Sequence, residues 1–236
     1  MNRKPRSPGL YKLMSSGKPL LVSKGDMIGS TAEGHKMYMI ISGYVKRYFI
    51  TTSGSIGLQL VYVPTDIFFL SKIYREVLNL SIYDGPETYY YEAMSDASLL
   101  TLDIGVLKTA LDKDPALYKE LLAEAGYHLR TSIYRLENIS LPSIYARVAH
   151  QLLFAAEEDS AKTDDGVKIN VPLTHQDIAD ILGATRATVT LAINRLRKEG
   201  VLLPGRQLVI TDLKALEKQA YSNLDAKNQI NMFNIV

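Results

Sequence analysis

Two short helical patterns joined through a glycine, between Thr174 and Gly200, place the strongest constraint on how this chain can fold. Thr174 stands before the first pattern and Asp177 follows three residues later, close to the capping-box arrangement that begins many helices. Gly183 suits the left-handed position that ends a helix, and Thr185 can cap the helix that follows. Such a short connection between two capped helices predicts a helix-turn-helix.

The second helical pattern separates an apolar face from a polar and basic face. Val189, Ile193 and Leu196 recur at helical spacing and should pack inward. When a helix-turn-helix binds DNA, the start of its second helix enters the major groove, and later basic residues lie near phosphates. The sequence therefore predicts a DNA-binding surface at this helix and its surroundings. Its predicted members are Thr174, His175, Gln176, Thr185, Arg186, Ala187, Thr188, Thr190, Leu191, Asn194, Arg197, Lys198 and Arg206.

Most of the base reading is assigned to Arg186 and Thr190. Arg186 can donate two hydrogen bonds to guanine, whereas Ala187, Leu191 and the methyl group of Thr190 can contact thymine methyl groups. The later basic residues are assigned to phosphates. The alternative is that this helix pair builds a protein–protein module and that its basic residues are a solvated face.

A hairpin and a last helix are predicted after the helix pair. Residues 201–210 contain two apolar runs around a Pro204-Gly205-Arg206 turn, which is typical of a β-hairpin. Such a hairpin would be a wing, with Arg206 at its tip beside the DNA backbone. Asp212 is placed to cap the final helix.

The first part of the chain has a different pattern. Residues 19 to about 104 form short apolar runs separated by turn signals such as Lys24-Gly25-Asp26 and Ser53-Gly54, which favours an antiparallel sandwich or barrel. The runs 37–42 and 44–50 are rich in β-branched and aromatic residues, as strands of a sheet core are.

A long helix is predicted after Asp114-Pro115, because apolar residues recur there at alternating spacings of four and three. This heptad seam can pair with its copy in a second subunit. The alternative is that the stripe packs on the chain's own β-domain. Pro142 ends or kinks this helix, 143–158 form another, and the polar stretch 159–166 is predicted to be a loop. The seam consists of Tyr118, Leu122, Ala125, Leu129, Ser132, Leu136 and Ile139.

Composition excludes several kinds of site. The chain has no cysteine, so disulfides, zinc fingers and iron–sulfur clusters are excluded. Its four histidines lack metal-ligand spacing, and no catalytic triad is recognisable, so no metal, no cofactor and no enzymatic activity are predicted. The net charge of +2 does not by itself indicate nucleic acid, but the stretch from Arg186 to Arg206 concentrates basic residues. Without a signal peptide or membrane span, we expect a cytoplasmic protein that does not contact membranes.

The segment LTHQDIADILGATRATVTLAINRLRKEGVL resembles the winged helix-turn-helix of the Crp/Fnr family of bacterial transcription regulators. MYMIISGYVKR and YVPTDIFF resemble strands of the family's cyclic-nucleotide-binding-type barrel. The resemblance implies an α+β fold with an antiparallel jelly-roll barrel (a double-stranded β-helix), a long dimerisation helix and a C-terminal winged helix-turn-helix. The corresponding domains are 1–114, 115–141 and 142–220, followed by a tail, 221–236.

The same resemblance implies how such a protein would work. It implies a homodimer on double-stranded DNA with an inverted-repeat operator, RNA polymerase as a further partner, and control by a small-molecule effector in the barrel.

Two departures from the family pattern limit this inference. Members that bind cyclic AMP hold its phosphate with a glycine-glutamate pair and an arginine, whereas this chain lacks that pair and has Tyr89-Tyr90-Tyr91 near the arginine's place. Cyclic AMP is therefore not expected, and Arg75, Tyr89 and Tyr91 are the effector-binding candidates, although packing is the favoured role of the tyrosines. Ala187 and Leu191 stand where many members have glutamate and arginine, so the operator should differ from the family's usual one.

Two other functions remain open at this stage. The barrel could have lost its ligand and serve only as a dimerising scaffold of a ligand-independent regulator. Alternatively, it could be a cupin-like enzyme fused to a DNA-binding domain, although such enzymes need clustered histidines on the barrel strands and only His35 lies in that region.

Overall fold

The computed structural model of the chain describes residues 4–29, 36–68, 73, 77–79 and 89–221. These residues form two compact units, which divide between Ile133 and Tyr134. The division falls inside one long helix, so that each unit contains part of it.

Two antiparallel sheets form the first unit, as the turn-rich pattern predicts. One sheet has the strand order β1-β7-β2-β5 and the other has the order β4-β3-β6. The strands are β1 (Lys18–Val22), β2 (Lys36–Ser42), β3 (Val45–Ile50), β4 (Ile56–Tyr62), β5 (Ile67–Phe68), β6 (Tyr90–Ala93) and β7 (Ala97–Asp103).

Strand β2 is buried on both faces, and its side chains therefore divide the core in two. Tyr38 and Ile40 pack into a cluster between the sheets, whereas Met37 and Met39 pack into a second cluster that includes helical residues. A strand that is covered on both faces has apolar residues at successive positions instead of alternating apolar and polar ones, as β2 does.

Two of the helices that contribute to the second cluster were not predicted by the sequence analysis. Helix α1 (Pro8–Met14) buries Leu10 and Met14, one helical turn apart. Helix α2 (Ile104–Lys113) is capped by the preceding residue, Asp103, whose carboxylate accepts a hydrogen bond from the Gly105 backbone N–H at 2.7 Å. Each helix is short, so its apolar period repeats too few times to stand out from the strand-rich sequence around it.

The long helix α3 (Leu117–Ser140) has two different faces. One face packs within the chain, where Leu117 and Leu121 are buried in the helical cluster. The predicted seam lies on the other face: Leu122 is 72% exposed and Leu136 is 67% exposed. Within the first unit, the seam residues Leu122 and Leu129 are exposed and are not packed on the sheets.

The second unit joins four more helices to a small antiparallel sheet of order β10-β9-β8. The prediction of a loop over 159–166 is wrong, because strand β8 (Ser160–Thr163) occupies half of it and strand β9 begins at Gly166. Strand β8 is an edge strand with half-buried or exposed side chains, so it carries no apolar signal. The elements are α4 (Ile144–Glu158), β8 (Ser160–Thr163), β9 (Gly166–Ile169), α5 (His175–Leu182), α6 (Arg186–Lys198), β10 (Val209–Ile210) and α7 (Leu213–Ala220).

The last turns of α3 belong to the second unit and are hydrogen-bonded within it. The Asn138 amide donates to the Arg147 carbonyl at 2.8 Å, and the Arg147 guanidinium donates to the carbonyl of Leu182 at the end of α5. The Tyr134 hydroxyl donates to the carbonyl of His150. These bonds connect the end of the long helix to the start of the α5–α6 turn.

Two histidines, the fully buried His150 and the half-buried His128, should make stability depend on pH. Burial lowers the pKa of both His128 and His150 from 6.5 to about 4, and Arg47 contributes to the shift at His128. The folded chain therefore keeps both rings neutral well below pH 6.5, where the unfolded chain takes up protons. We expect the free energy of unfolding to fall by on the order of 1 to 3 kcal/mol between pH 7 and pH 5.

Urea unfolding at the two pH values, followed by circular dichroism, measures this change. His150→Gln should have a smaller pH dependence than the unchanged chain, and an equal free energy of unfolding at both pH values would contradict the prediction.

Candidate nucleic-acid interface

The turn between α5 and α6 has the geometry that the sequence predicts. Thr174 caps α5 and forms a complete capping box with Asp177. Gly183 adopts φ 60° and ψ 40°, the left-handed conformation that a glycine adopts without a steric penalty. Thr185 then caps α6 by accepting a hydrogen bond from the Thr188 backbone N–H at 3.2 Å. Local interactions therefore fix the angle at which α6 leaves the turn.

Helix α6 buries the predicted inner face and leaves the predicted outer face accessible. Val189, Ile193 and Leu196 are fully buried, together with Ala192. Leu191, in contrast, is 71% exposed. Leu191 therefore lies on the outer face of α6, as the sequence predicts.

Several predicted residues converge on one cleft, at the starts of α5 and α6 and beside the turn after α6. The positive ends of two helix dipoles and three guanidinium groups thus meet in one place, an arrangement suited to binding anions such as phosphates. The cleft is lined by Thr174, His175, Gln176, Arg186, Arg197, Gly205 and Arg206.

Two hydrogen-bond contacts link His175, in the cleft, to Thr190 and through it to Arg186. The Thr190 hydroxyl donates to the carbonyl of Arg186 at 2.9 Å, and its oxygen lies 2.9 Å from Nδ1 of His175. Burial and the charges of Arg197 and Arg186 lower the pKa of His175. Because both contacts use the Thr190 hydroxyl, the methyl group is the part of this side chain that is left for a base.

The segment after α6 closes like the predicted hairpin. Leu202 bridges Ile210, and the Leu203 backbone N–H donates to the carbonyl of Val209 at 3.0 Å. Arg197 donates to the carbonyl of Gly205 at 2.5 Å, so it ties α6 to the tip of the hairpin. Arg206 is exposed at that tip. The structure thus gives Arg197 a positioning contact, in addition to any contact with phosphate.

The remaining predicted members lie around the cleft. Ala187, Asn194 and Lys198 are exposed on α6. Gln176 donates to a carboxylate oxygen of Asp180 at 2.7 Å, which holds its amide along α5.

A polar cluster at the far end of α6 was missed by the sequence analysis. Glu199 accepts hydrogen bonds from the Tyr145 hydroxyl at 2.5 Å and from Arg195 at 2.8 Å, and the Arg195 guanidinium lies 4.1 Å from the Tyr145 ring centre. The Tyr145 contact crosses 54 positions of sequence, so no local pattern could reveal it.

The effector-binding candidates lie in the first unit. Tyr91 is buried in the core between the sheets, Tyr89 packs against that core, and Arg75 lies outside the described residues. The structure places a different arginine, Arg47, 4.9 Å from the Tyr89 ring centre. The alternation of Val45, Arg47 and Phe49 along β3 is the signal that could have identified it.

The described residues contain no group of three histidine, cysteine or acidic side chains that could hold a metal ion. No helix in the described part of the chain is both long and apolar enough to cross a membrane.

Comparisons with known proteins agree with this geometry. Residues 146–219 match the family of Crp-like helix-turn-helix domains. The chain is 27% identical over 206 residues to the CRP-like cAMP-activated global transcriptional regulator of Mycobacterium tuberculosis. The aligned residues cover 86% of this chain and 88% of that protein. It is 29% identical over 196 residues to the transcriptional regulator LdrP of Thermus thermophilus, over 82% of this chain and 92% of that protein.

The chain is a homologue of the Crp/Fnr regulators. Solved structures confirm the fold: FixK2 from Bradyrhizobium japonicum has a TM-score of 0.69 at 22% identity, covering 86% of this chain and 96% of that chain. A CooA mutant from Carboxydothermus hydrogenoformans has a TM-score of 0.70 at 20% identity, covering 93% and 97% respectively. The predicted resemblance and the predicted α+β architecture, a barrel followed by a helix-turn-helix, are thereby confirmed.

The two faces of α6 in this Crp-like domain predict that substitutions two positions apart differ strongly in their effect on stability. Ile193→Ala removes buried methylene groups and should lower the free energy of unfolding by about 2 to 5 kcal/mol. Leu191→Ala removes an exposed side chain and should change it by less than about 0.5 kcal/mol. Urea unfolding of both variants measures the difference, and similar losses would show that the helix is rotated from its described position.

Proposed function

We propose that this chain is a sequence-specific DNA-binding transcription regulator that acts as a homodimer and has no enzymatic activity. The observation that carries the proposal is the cleft in which α5, α6 and the hairpin bring Arg186, Arg197 and Arg206 together beside an exposed helix face. Residues 146–219 match the Crp-like helix-turn-helix domains, and the similar protein of M. tuberculosis is named a transcriptional regulator. Transcription regulation also implies the cytoplasm as the compartment and RNA polymerase as a partner.

We assign direct base reading to the start of α6. Arg186 is exposed at the first position of the helix and can donate two hydrogen bonds to a guanine. Ala187, Leu191 and the Thr190 methyl group form an apolar surface that is suited to the methyl groups of thymine. This combination favours half-sites that contain both a guanine and thymines.

Selection of bound duplexes from a random DNA pool tests this function directly. With purified protein and no added ligand, we expect enrichment of an inverted repeat whose half-sites are about one helical turn apart. If no sequence is enriched in this selection, and none is enriched in a second selection with small organic acids present, the proposal of sequence-specific binding is contradicted.

Two basic residues of α6 should have different effects on binding to the selected operator. Arg186→Ala should cost about 1 to 3 kcal/mol and relax the preference at one base pair, because it removes hydrogen bonds to a base. Lys198→Ala should weaken binding to all sequences about equally and reduce the salt dependence by about one charge. Fluorescence anisotropy with operator and scrambled duplexes at several salt concentrations measures both effects. If both variants lose only sequence-independent affinity, the assignment of base reading to Arg186 is wrong.

The exposed face of α3 supports dimerisation through a second copy of the chain. Leu129 is 62% exposed and Ile139 is 66% exposed, in line with Leu122 and Leu136. An apolar stripe along a helix of 24 residues is costly in water, and its heptad spacing is that of a two-stranded coiled coil. Because its apolar residues recur at heptad spacing, the same stripe of a second copy can pack against it as in a coiled coil.

Charge introduced into this stripe should therefore separate the subunits. We expect Leu129→Glu to shift the protein from dimer to monomer in sedimentation equilibrium and to weaken binding to the inverted repeat. Glu137→Lys is the matched control, because Glu137 is exposed on the same helix outside the seam and should leave the dimer intact. A dimeric Leu129→Glu variant would contradict this interface.

We propose that the barrel, 1–114, is a sensor that acts through the dimerisation helix, 115–141, on the DNA-binding domain, 142–220. The relative from M. tuberculosis is activated by cyclic AMP, as its name states. This chain has no glycine-glutamate pair for the cyclic phosphate, which supports an effector of a different class.

A further inference from the structure

The inner face of strand β3 carries one charged residue. Val45 is fully buried in the core between the sheets, and Phe49 packs edge-on against Tyr89. Arg47 lies between them on the same face, since side chains two positions apart along a strand point the same way. Its guanidinium is therefore placed beside apolar and aromatic side chains rather than in open solvent.

The contacts of Arg47 are tyrosines. Its guanidinium lies 4.9 Å from the ring centre of Tyr89 and donates a hydrogen bond to the hydroxyl of Tyr91. Tyr91 is in turn hydrogen-bonded to Tyr62. The Nε atom of Arg47 is buried and has no hydrogen-bond partner among the described residues. One donor of a charged group is thus left unused.

A second half-buried cation of this unit, Arg6, also has unpartnered nitrogens, Nε and Nη1, but it differs from Arg47 in having counter-charges. Arg6 donates to Asp66 at 2.8 Å and to Glu124 at 3.2 Å. On the outer face of β3, Lys46 pairs with Glu92 at 3.0 Å. No carboxylate of the described residues forms such a pair with Arg47. A desolvated charge without a counter-charge is costly, and an anion that binds to it offsets the cost.

We propose that Arg47, Tyr89 and Tyr91 bind the carboxylate of a small organic acid with a planar, apolar body, and that this acid is the effector of the protein. The unused Nε–H belongs to the planar guanidinium fork, a geometry that binds carboxylates. The surrounding aromatic rings suit a planar apolar body. Arg47 supplies a single positive charge, so a monoanion balances it.

The position of His128 connects this site to the dimerisation helix. His128 lies on α3, and its ring centre is 6.3 Å from that of Tyr62. The positive charge of Arg47 contributes to the low pKa of His128, after burial. An anion on Arg47 cancels that charge, so occupancy changes the electrostatic environment of the helix that carries the seam. This last step, from effector to DNA, rests on the proposed function.

Isothermal titration calorimetry with purified full-length protein tests the site without DNA. We expect sodium benzoate and 4-hydroxybenzoate to bind more tightly than acetate, inorganic phosphate or cyclic AMP. Arg47→Met should weaken benzoate binding by at least about tenfold. Lys46→Met, a neighbour on the opposite face of β3, is the matched control and should leave binding unchanged.

The pKa of His128, measured by NMR, gives a second readout that needs no variant to fold. Saturating benzoate should raise this pKa above about 4, because the ligand offsets the charge of Arg47. Arg47→Met should raise it without ligand, while Lys46→Met should not. Assignment of the resonance uses His128→Gln.

Four results would overturn the proposal: no binding of either benzoate, equal binding by Arg47→Met, tighter binding of phosphate or cyclic AMP, or a His128 pKa that benzoate does not change. Binding to the selected operator, measured separately, distinguishes a failure of the effector site from a failure of the proposed DNA-binding function. A protein that binds its operator but no carboxylate refutes the effector site alone, whereas one that binds benzoate but no DNA sequence refutes the proposed function.

Discussion

The long helix α3 packs along one side within both units of the chain and carries an exposed apolar face on its other side. On one side Leu117 and Leu121 complete the helical part of the core in the first unit. Farther along, Asn138 and Tyr134 are hydrogen-bonded to α4 in the second unit. The face that remains is apolar and exposed. In each unit, therefore, the same helix is held along one side while apolar side chains on its other side remain accessible.

The second unit was largely predictable, because its signals are local. The capping box at Thr174 and the left-handed Gly183 are interactions among neighbours in sequence, and the structure has both. The inner face of α6 repeats at helical spacing. In contrast, the hydrogen bonds of Arg147 to Leu182 and of Tyr145 to Glu199 join distant positions and follow only from the packed fold. Strand β8 was missed because an edge strand needs little apolar surface.

The first unit was predictable in its class but not in its details. Alternating and aromatic runs indicated an antiparallel arrangement, and β2 and β3 lie where those runs lie. Helix α1 could not be predicted, because its stability depends on contacts far along the chain. Glu120 of α3 accepts hydrogen bonds from the backbone N–H groups of Gly9 and Leu10 at 2.9 and 2.7 Å. A sequence window around α1 contains neither the carboxylate nor the surface on which the helix packs.

Three partly or fully desolvated arginines show how differently this chain treats the same charge. Arg6 is balanced by two carboxylates, which suits a structural connection between the N-terminal segment and α3. Arg147 donates to carbonyl and amide oxygens, so its cost is met by dipoles at the end of α5 and by Asn138. Arg47 has tyrosine partners and an unused donor. Fold stability alone would favour a leucine at position 47, facing Val45 and Tyr62, since an apolar side chain there needs no partner. An arginine that interrupts the inward apolar pattern of its strand, and that has no carboxylate partner among the described residues, is better explained by what it binds than by what it packs against.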